Sequence, residues 1–424
     1  MNALSLFLGL ALVAPVTGEL WHLSIFGFSL LPSDILIPVF FALWALDKWK
    51  NDRALRLGKI GKAIALFWFV LGLTYIFNAF RFPWKEVVVG CTYLLRLVMY
   101  MGLALAAHDL LERNRPRFLK VILGGFLVSF ILIVILGFLQ LQFFPSFLDL
   151  GLELQGWDPH IGRLLSTWFD PNFVGGYLAF MLGPLLALGL YARHHRQKAW
   201  FWVVAAVSLV GLVALYYTFS RSAYLALMMT LVILAFLKSR KLLVAVIVLA
   251  ILGFAVSPRV QDRVTEGWES AKALVGMDSG AALDPTAELR VKSWQHAVEV
   301  IRDHPWIGVG YNRYAYEMNH RGYALLSDHD AGGSDSSLLT LWATTGIFGL
   351  LAILGIGFVA GVQGIRRVWK KTDFQSYLAS GLLAGFAGVM VHAIFVNSLL
   401  YALMMGYLWV GVGLLDYRDR KCYN

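Results

Sequence analysis

The sequence predicts an all-α polytopic membrane protein with about twelve transmembrane helices. Three observations carry that prediction. Of 424 residues, 59% are hydrophobic and only 15% are charged, with a mean hydropathy of +0.67. An ordinary soluble domain is about 45–50% apolar and roughly 25% charged, so a water-soluble enzyme is excluded. The apolar residues also gather into runs, most of them close to the roughly 20 residues that cross ~30 Å of hydrocarbon. Finally, basic residues fall in alternate connections between those runs, the pattern of cytoplasmic loops. The formal net charge of +10 would point a soluble chain toward nucleic acid. In this chain it records topology, and no nucleic-acid partner is expected.

The runs lie near 2–17, 29–46, 60–79, 86–107, 119–142, 173–192, 199–218, 222–237, 241–257, 337–364, 375–395 and 397–415. The first has no basic stretch ahead of it. Ala14-Pro15-Val16-Thr17-Gly18 is also a poor signal-peptidase site, so the run reads as a span. With the N-terminus inside, the inside connections carry Lys48, Lys50 and Arg53, then Arg113, Arg115 and Arg117, then Arg193, Arg196 and Lys198. Lys238, Arg240 and Lys241 follow, then Arg366, Arg367, Lys370 and Lys371, and in the tail Arg418, Arg420 and Lys421. Both termini are therefore expected in the cytoplasm. The chain divides into spans one to nine over 1–257, with an outer segment at 143–172. A large outer loop covers 258–336, spans ten to twelve cover 337–415, and a cytoplasmic tail covers 416–424.

Connections beyond about 15 residues usually carry function or are disordered. The large loop holds Trp268, Trp294, Trp306 and several tyrosines, so it can pack. Residues 286–303 read as a helix that opens near Asp284-Pro285-Thr286 and stops before Pro305. Trp294, Ala297 and Ile301 share one face of it at helical spacing, and Arg290 falls on that face. An arginine on a packing face needs an anionic or hydrogen-bonding partner. Cys91 lies in a span and Cys422 in the cytoplasmic tail, so the two cannot pair.

Ionisable groups in an apolar chain are the natural candidates for chemistry, because burying them in lipid costs a few kcal/mol or more. Arg96 sits mid-span and is either paired within the bundle or functional. Arg221 lies in Thr218-Phe219-Ser220-Arg221-Ser222, a tight outer connection. Arg163 precedes Ser166-Thr167-Trp168-Phe169-Asp170-Pro171-Asn172, where the chain re-enters the membrane. Guanidinium groups bind phosphate bidentately and keep their charge at any working pH, so three of them at one rim suit a lipid-linked diphosphate. Arg290 is the third of that set, with Arg163 and Arg221. There is no Walker loop for ATP. Asp328-His329-Asp330 looks like a D-x-D metal motif, but three residues match easily by chance, and no metal is expected. His304, His320 and His329 in the outer loop are possible proton acceptors, and His194-His195 reads as a solvated pair.

Four local patterns resemble the O-antigen ligase and O-antigen polymerase superfamily of bacterial inner-membrane glycosyltransferases. They are Ser166-Thr167-Trp168-Phe169-Asp170-Pro171-Asn172-Phe173; Phe219-Ser220-Arg221-Ser222-Ala223-Tyr224-Leu225; Arg290-x-x-x-Trp294-x-x-Ala297, followed by Asp303-His304-Pro305-Trp306-Ile307-Gly308-Val309-Gly310; and Ser334-Asp335-Ser336-Ser337-Leu338-Leu339, followed by Thr345-Gly346-Ile347-Phe348-Gly349-Leu350. Each is weak alone, and their order and spacing make them fairly specific. The resemblance covers nearly the whole chain. It implies periplasmic glycan transfer from an undecaprenyl-diphosphate carrier to an acceptor glycan or lipid, with inversion and with neither metal nor cofactor. It also implies that Arg221 and Arg290, with Arg163 as a third candidate, hold the diphosphate. Ligases of this superfamily usually carry a histidine where this chain has Asp335. That departure favours a polymerase, with Asp335 or His329 as the base, over a ligase. Asp335 could instead serve as a helix cap, as could Ser334 or Ser336. A transporter of polysaccharide precursors is the more distant alternative, given twelve spans with both ends inside.

Overall fold

The structure is a computed structural model. It describes residues 3–21, 23–25, 28–55, 57–151, 160–238, 240–258, 261–262, 264–265, 268, 285–324, 332–368 and 372–416. Helix α1 (Ala3–Val13) runs into a 3-10 segment (Ala14–Leu20). A short hairpin follows, β1 (Leu23–Ile25) against β2 (Phe28–Leu30), antiparallel with Leu23 opposite Leu30. This hairpin departs from the all-α expectation. The remaining helices are α2 (Pro32–Lys50), α3 (Lys59–Ala79), α4 (Trp84–Phe143), α5 (Pro171–His194), α6 (Lys198–Tyr217), α7 (Arg221–Lys238) and α8 (Arg240–Val256), then α9 (Pro285–Asp303), α10 (Tyr314–His320), α11 (Ser337–Val368), α12 (Phe374–Phe395) and α13 (Ala402–Asp416).

Among the described residues, 8 segments are long and apolar enough to cross a membrane. The helical membrane class stands, but a count of twelve does not follow from these lengths, and the reasons are physical. Helix α4 runs for 60 residues and takes in two of the predicted runs. They are separated only by a break at Asn114 (φ −150°, ψ 81°), two residues before Pro116. A proline cannot donate to the preceding turn, so the axis changes direction there without the helix ending. Helices α8 and α13, with 17 and 15 residues, fall short of the length that spans the hydrocarbon. Helix α2 carries Asp34 near its start and Lys48 and Lys50 in its last turn.

The two ends of the bundle differ in kind. At one end the basic connections meet and are satisfied locally. Lys48 donates to Asp109 at 2.8 Å, and Arg113 pairs with Asp47 and Asp109. His195 donates to the Thr372 carbonyl at 2.9 Å, Lys238 to Ser376 Oγ at 2.6 Å, and Arg367 to the Leu414 carbonyl at 2.7 Å. At the other end lie α9, α10 and the starts of α5, α7 and α11.

The segment after α9 is hydrogen-bonded to α11. Val309 N–H donates to Ala343 O, Gly310 N–H to Thr344 O and Ile347 N–H to Pro305 O, each at 2.9 Å. Helix α11 is interrupted at Gly346 (φ 68°, ψ −176°), a conformation essentially restricted to glycine. A Cβ there would also run into the Trp306 carbonyl. Gly346→Ala is therefore expected to destabilise the protein by roughly 2 kcal/mol or more, from backbone strain plus the clash. A drop in the thermal unfolding midpoint in detergent checks it.

Candidate active site

The first sequence pattern divides its work between anchoring and the site. Ser166 Oγ donates to Ile133 O at 2.8 Å, Thr167 Oγ1 to Val16 O at 2.6 Å, and the buried Trp168 Nε1 to Pro15 O at 2.8 Å. These three residues tie the outer segment to α4 and to the N-terminal turn. Asp170 then caps α5, its carboxylate accepting from Asn172 N–H at 2.6 Å and Phe173 N–H at 3.3 Å. Pro171 at the first helical position sacrifices no hydrogen bond. With the helix start set, Asn172 directs its side chain toward the start of α7.

There a chain of short polar contacts begins. Ser220 Oγ donates to Asn172 Oδ1 at 2.8 Å and lies 3.1 Å from Ser222 Oγ. Ser222 Oγ lies 3.3 Å from His392 Nε2, and His392 Nδ1 lies 2.5 Å from Ser398 Oγ. Each hydroxyl has one proton to give. Because Ser220 donates to Asn172, Ser222 must donate to Ser220, and His392 Nε2–H then donates to Ser222. Nδ1 faces Ser398 Oγ, which also lies 3.4 Å from the Val396 carbonyl. The ring is thus held in one orientation by partners on both nitrogens. It is fully buried at the outer end of α12, against Gly176 of α5. A Cβ at Gly176 would stand 2.8 Å from the ring carbon Cε1, so only glycine admits the histidine.

Arg221 opens α7 one residue before Ser222, half-buried. Arg290 lies on α9 one turn before Ser293 and Trp294, the residues that bind the start of α11. Helix α9 is fastened across the start of α11. Asp335 N–H donates to Ser293 Oγ at 3.0 Å, Trp294 Nε1 donates to Asp335 O at 3.2 Å, and Trp294 packs near Phe395 with ring centroids 6.0 Å apart. Ala297 and Ile301, on the same face, are buried. Ser336 Oγ accepts from Leu339 N–H at 3.4 Å, so the capping position of α11 belongs to Ser336. Arg221, Arg290 and Asp335 therefore stand around the outer ends of α7, α11 and α12.

Arg163 sits at the edge of this cluster. Its Nε donates to Thr218 O at 2.9 Å, and Nη1 lies 3.5 Å from His160 Nδ1. Burial first, and the Arg163 charge second, push the His160 pKa down to about 3. Arg96 stands apart, at the hairpin and α2, not with the other arginines. It forms a buried ion pair with Asp34, Nε to Oδ1 2.9 Å, and packs against the rings of Phe28 and Tyr93. His329 lies outside the described residues. His304 is on the surface turn after α9, and His320 ends α10.

Two buried groups escape a reading of the sequence by charge. His392 is the only acidic, basic or histidine side chain between Asp373 and Asp416. Its isolation in an apolar run is the signal that would find it. Arg313 is 1% exposed, donates to Asn78 O at 2.7 Å and lies between the rings of Tyr75 and Phe82, each 4.5 Å away. It staples the outer loop to α3, with ring faces taking the place of further acceptors.

Residues 206–354 match the family described as O-antigen ligase. That stretch is similar to the O-antigen ligase family over about a third of the chain. The match supports membership of the O-antigen ligase and polymerase superfamily. No curated protein matches the chain. The matched stretch takes in Arg221, Arg290 and Asp335. Asn172, Arg163 and His392 lie outside the matched stretch, yet each is hydrogen-bonded to it, through Ser220, Thr218 and Ser222.

Two outcomes follow from these contacts. Arg96→Leu leaves Asp34 buried without its partner. It should cost about 3–5 kcal/mol, read as thermal unfolding of the purified protein. His160 binds its proton less readily folded than unfolded. Its contribution is intact above pH ~6.5 and is lost as pH falls from there toward 3. The acid-side loss of thermal stability should be smaller in His160→Gln than in the wild type.

Proposed function

We propose that this protein is a metal-independent inverting glycosyltransferase. It moves a glycan from an undecaprenyl-diphosphate carrier to an acceptor hydroxyl at the periplasmic face of a bacterial inner membrane. The observation that carries this reading is Arg221 at the start of α7, joined through Ser222 to His392 at the end of α12, with α9, the helix of Arg290, fastened over the start of α11 beside Asp335. Two guanidiniums there can hold a diphosphate and offset the charge that develops on it as it leaves. The acceptor oxygen attacks the anomeric carbon from the face opposite the carrier. The bond from that carbon to the carrier's phosphate oxygen breaks, and its electron pair departs with the diphosphate. The hydroxyl proton passes to a base. Asp335 suits that role because its main chain is held on both sides by α9 and Ser336 does the capping.

Within this reaction the polymerase reading is preferred, with a second carrier-linked glycan as acceptor, because an aspartate stands at the position where ligases carry histidine. The second reading is a ligase that joins the glycan to lipid A-core or another acceptor. The basic connections support a topology with both termini in the cytoplasm.

Purified protein supplied with carrier-linked repeat units alone should build longer carrier-linked chains. Product that forms only after a core lipid is added would replace the polymerase with the ligase. Arg221→Ala and Arg290→Ala should each lower the transfer rate at least ~100-fold, as loss of a charge-stabilising donor does elsewhere, with the unfolding temperature kept. Near-normal rates in both variants would remove the diphosphate role.

A further inference from the structure

Beside the outer end of α3, away from the start of α7, a polar cleft opens. It encloses about 200 Å³ and is lined by Phe77 and Arg81 on one side and by Asp303, His304 and Trp306 on the other. A liquid water occupies about 30 Å³, so a phosphate group and bridging waters fit. Arg81 is aimed from below. Asn78 is buried, and its Nδ2 donates to Thr74 O at 2.8 Å, which turns Oδ1 toward Arg81 Nη1 at 3.1 Å. The same Nη1 lies 3.4 Å from His304 Nδ1. Among the described residues, Arg81 Nε and Nη2 and His304 Nε2 make no hydrogen bond. The one carboxylate in the lining, Asp303, is already paired with Arg321 at 2.6 Å. The cleft therefore presents unused donors, and Arg81 is a cation in it with no carboxylate partner among the described residues. Burial and the neighbouring Arg81 push the His304 imidazole below its ordinary range, a shift that a bound anion would oppose.

The walls and surroundings identify the anion's carrier. Phe77, Phe80, Trp84 and Trp306 are all exposed, Phe80 to 92%. Bare aromatic rings beside cations are the signature of a membrane–water interface. Leu66, Phe69, Leu73 and Ile76 continue from Phe77 down α3 as an exposed stripe at helical spacing. Such a stripe offers a hydrocarbon chain a track that ends at the cleft. A free anion would gain nothing from it. We infer that the cleft between Arg81 and His304 binds the phosphate headgroup of a membrane lipid, whose chains lie along α3.

The inference concerns binding and stands whether or not the transfer reaction is as proposed. The test places the full chain in nanodiscs with a photoactivatable anionic phospholipid, phosphatidylglycerol, or with its zwitterionic phosphatidylcholine counterpart. Labelled peptides are then mapped. Phosphatidylglycerol should label residues 77–81 and 304–307 in preference to phosphatidylcholine. Arg81→Gln should cut that labelling about tenfold, the loss expected for one charge-assisted hydrogen bond. Arg81 is exposed, so the variant should fold, and its unfolding temperature verifies this. Arg81→Lys should restore most of the labelling. Excess inorganic phosphate should leave labelling intact. Equal labelling by the two lipids, undiminished labelling in Arg81→Gln, or displacement by free phosphate would each overturn the lipid site.

Discussion

A helix end inside a membrane protein must find partners for backbone groups and polar side chains that lipid cannot serve. The starts of α5, α7 and α11 and the end of α12 meet at one level, and the bridge from Asn172 through Ser220 and Ser222 to His392 and Ser398 is how they do so. Every member has a partner. A partly satisfied network in a low-dielectric setting costs more than an apolar one. Satisfied, it sets where α7 begins. The direction in which Arg221 leaves the bundle depends on that start.

The outer part of the chain is joined to this junction by two separate fastenings. One runs from α9 to the start of α11, through Ser293, Trp294 and Asp335. The other runs from Pro305, Val309 and Gly310 to Ala343, Thr344 and Ile347, where Gly346 breaks α11 to admit the Trp306 carbonyl. Arg313 adds a third hold, to α3. Arg290 and Asp335 therefore ride with one well-anchored element. In the proposed reaction, the group that binds the leaving diphosphate and the group that takes the acceptor's proton keep a fixed separation whenever α9 is seated.

Much of this architecture is legible in the residues. The run positions, the helix ending before Pro305 and the packing face of Trp294, Ala297 and Ile301 all follow from hydropathy and spacing, and the structure has them. The number of spans is less legible. Periodicity cannot say whether Asn114 and Pro116 end a helix or only bend it, nor whether α8 and α13 extend across the hydrocarbon. The hairpin at 23–30 is too short to leave an alternating pattern. At the candidate site, charge singled out Arg221, Arg290 and Arg163, which the fold gathers, and Arg96, which the fold pairs with Asp34. Which arginine meets a carboxylate is a tertiary fact with no local trace. His392 shows the opposite failure, because a neutral imidazole is silent in a charge count although it is buried among the site segments.

The burial of His392 also bears on what it can do. With both ring nitrogens engaged and no exposed surface, it has no lone pair to offer an acceptor sugar. A general base must come within hydrogen-bond reach of the proton it removes. In the proposed reaction that leaves His392 as a positioning group, acting through Ser222 on the start of α7. Asp335 precedes the start of α11, against the helix that carries Arg290, and its neighbours constrain it. Its main chain is clamped by α9, while the capping hydrogen bond is made by Ser336. The loop thus spends a separate residue on each task. Serine caps the start of the helix, and in the proposed reaction the aspartate takes the acceptor's proton.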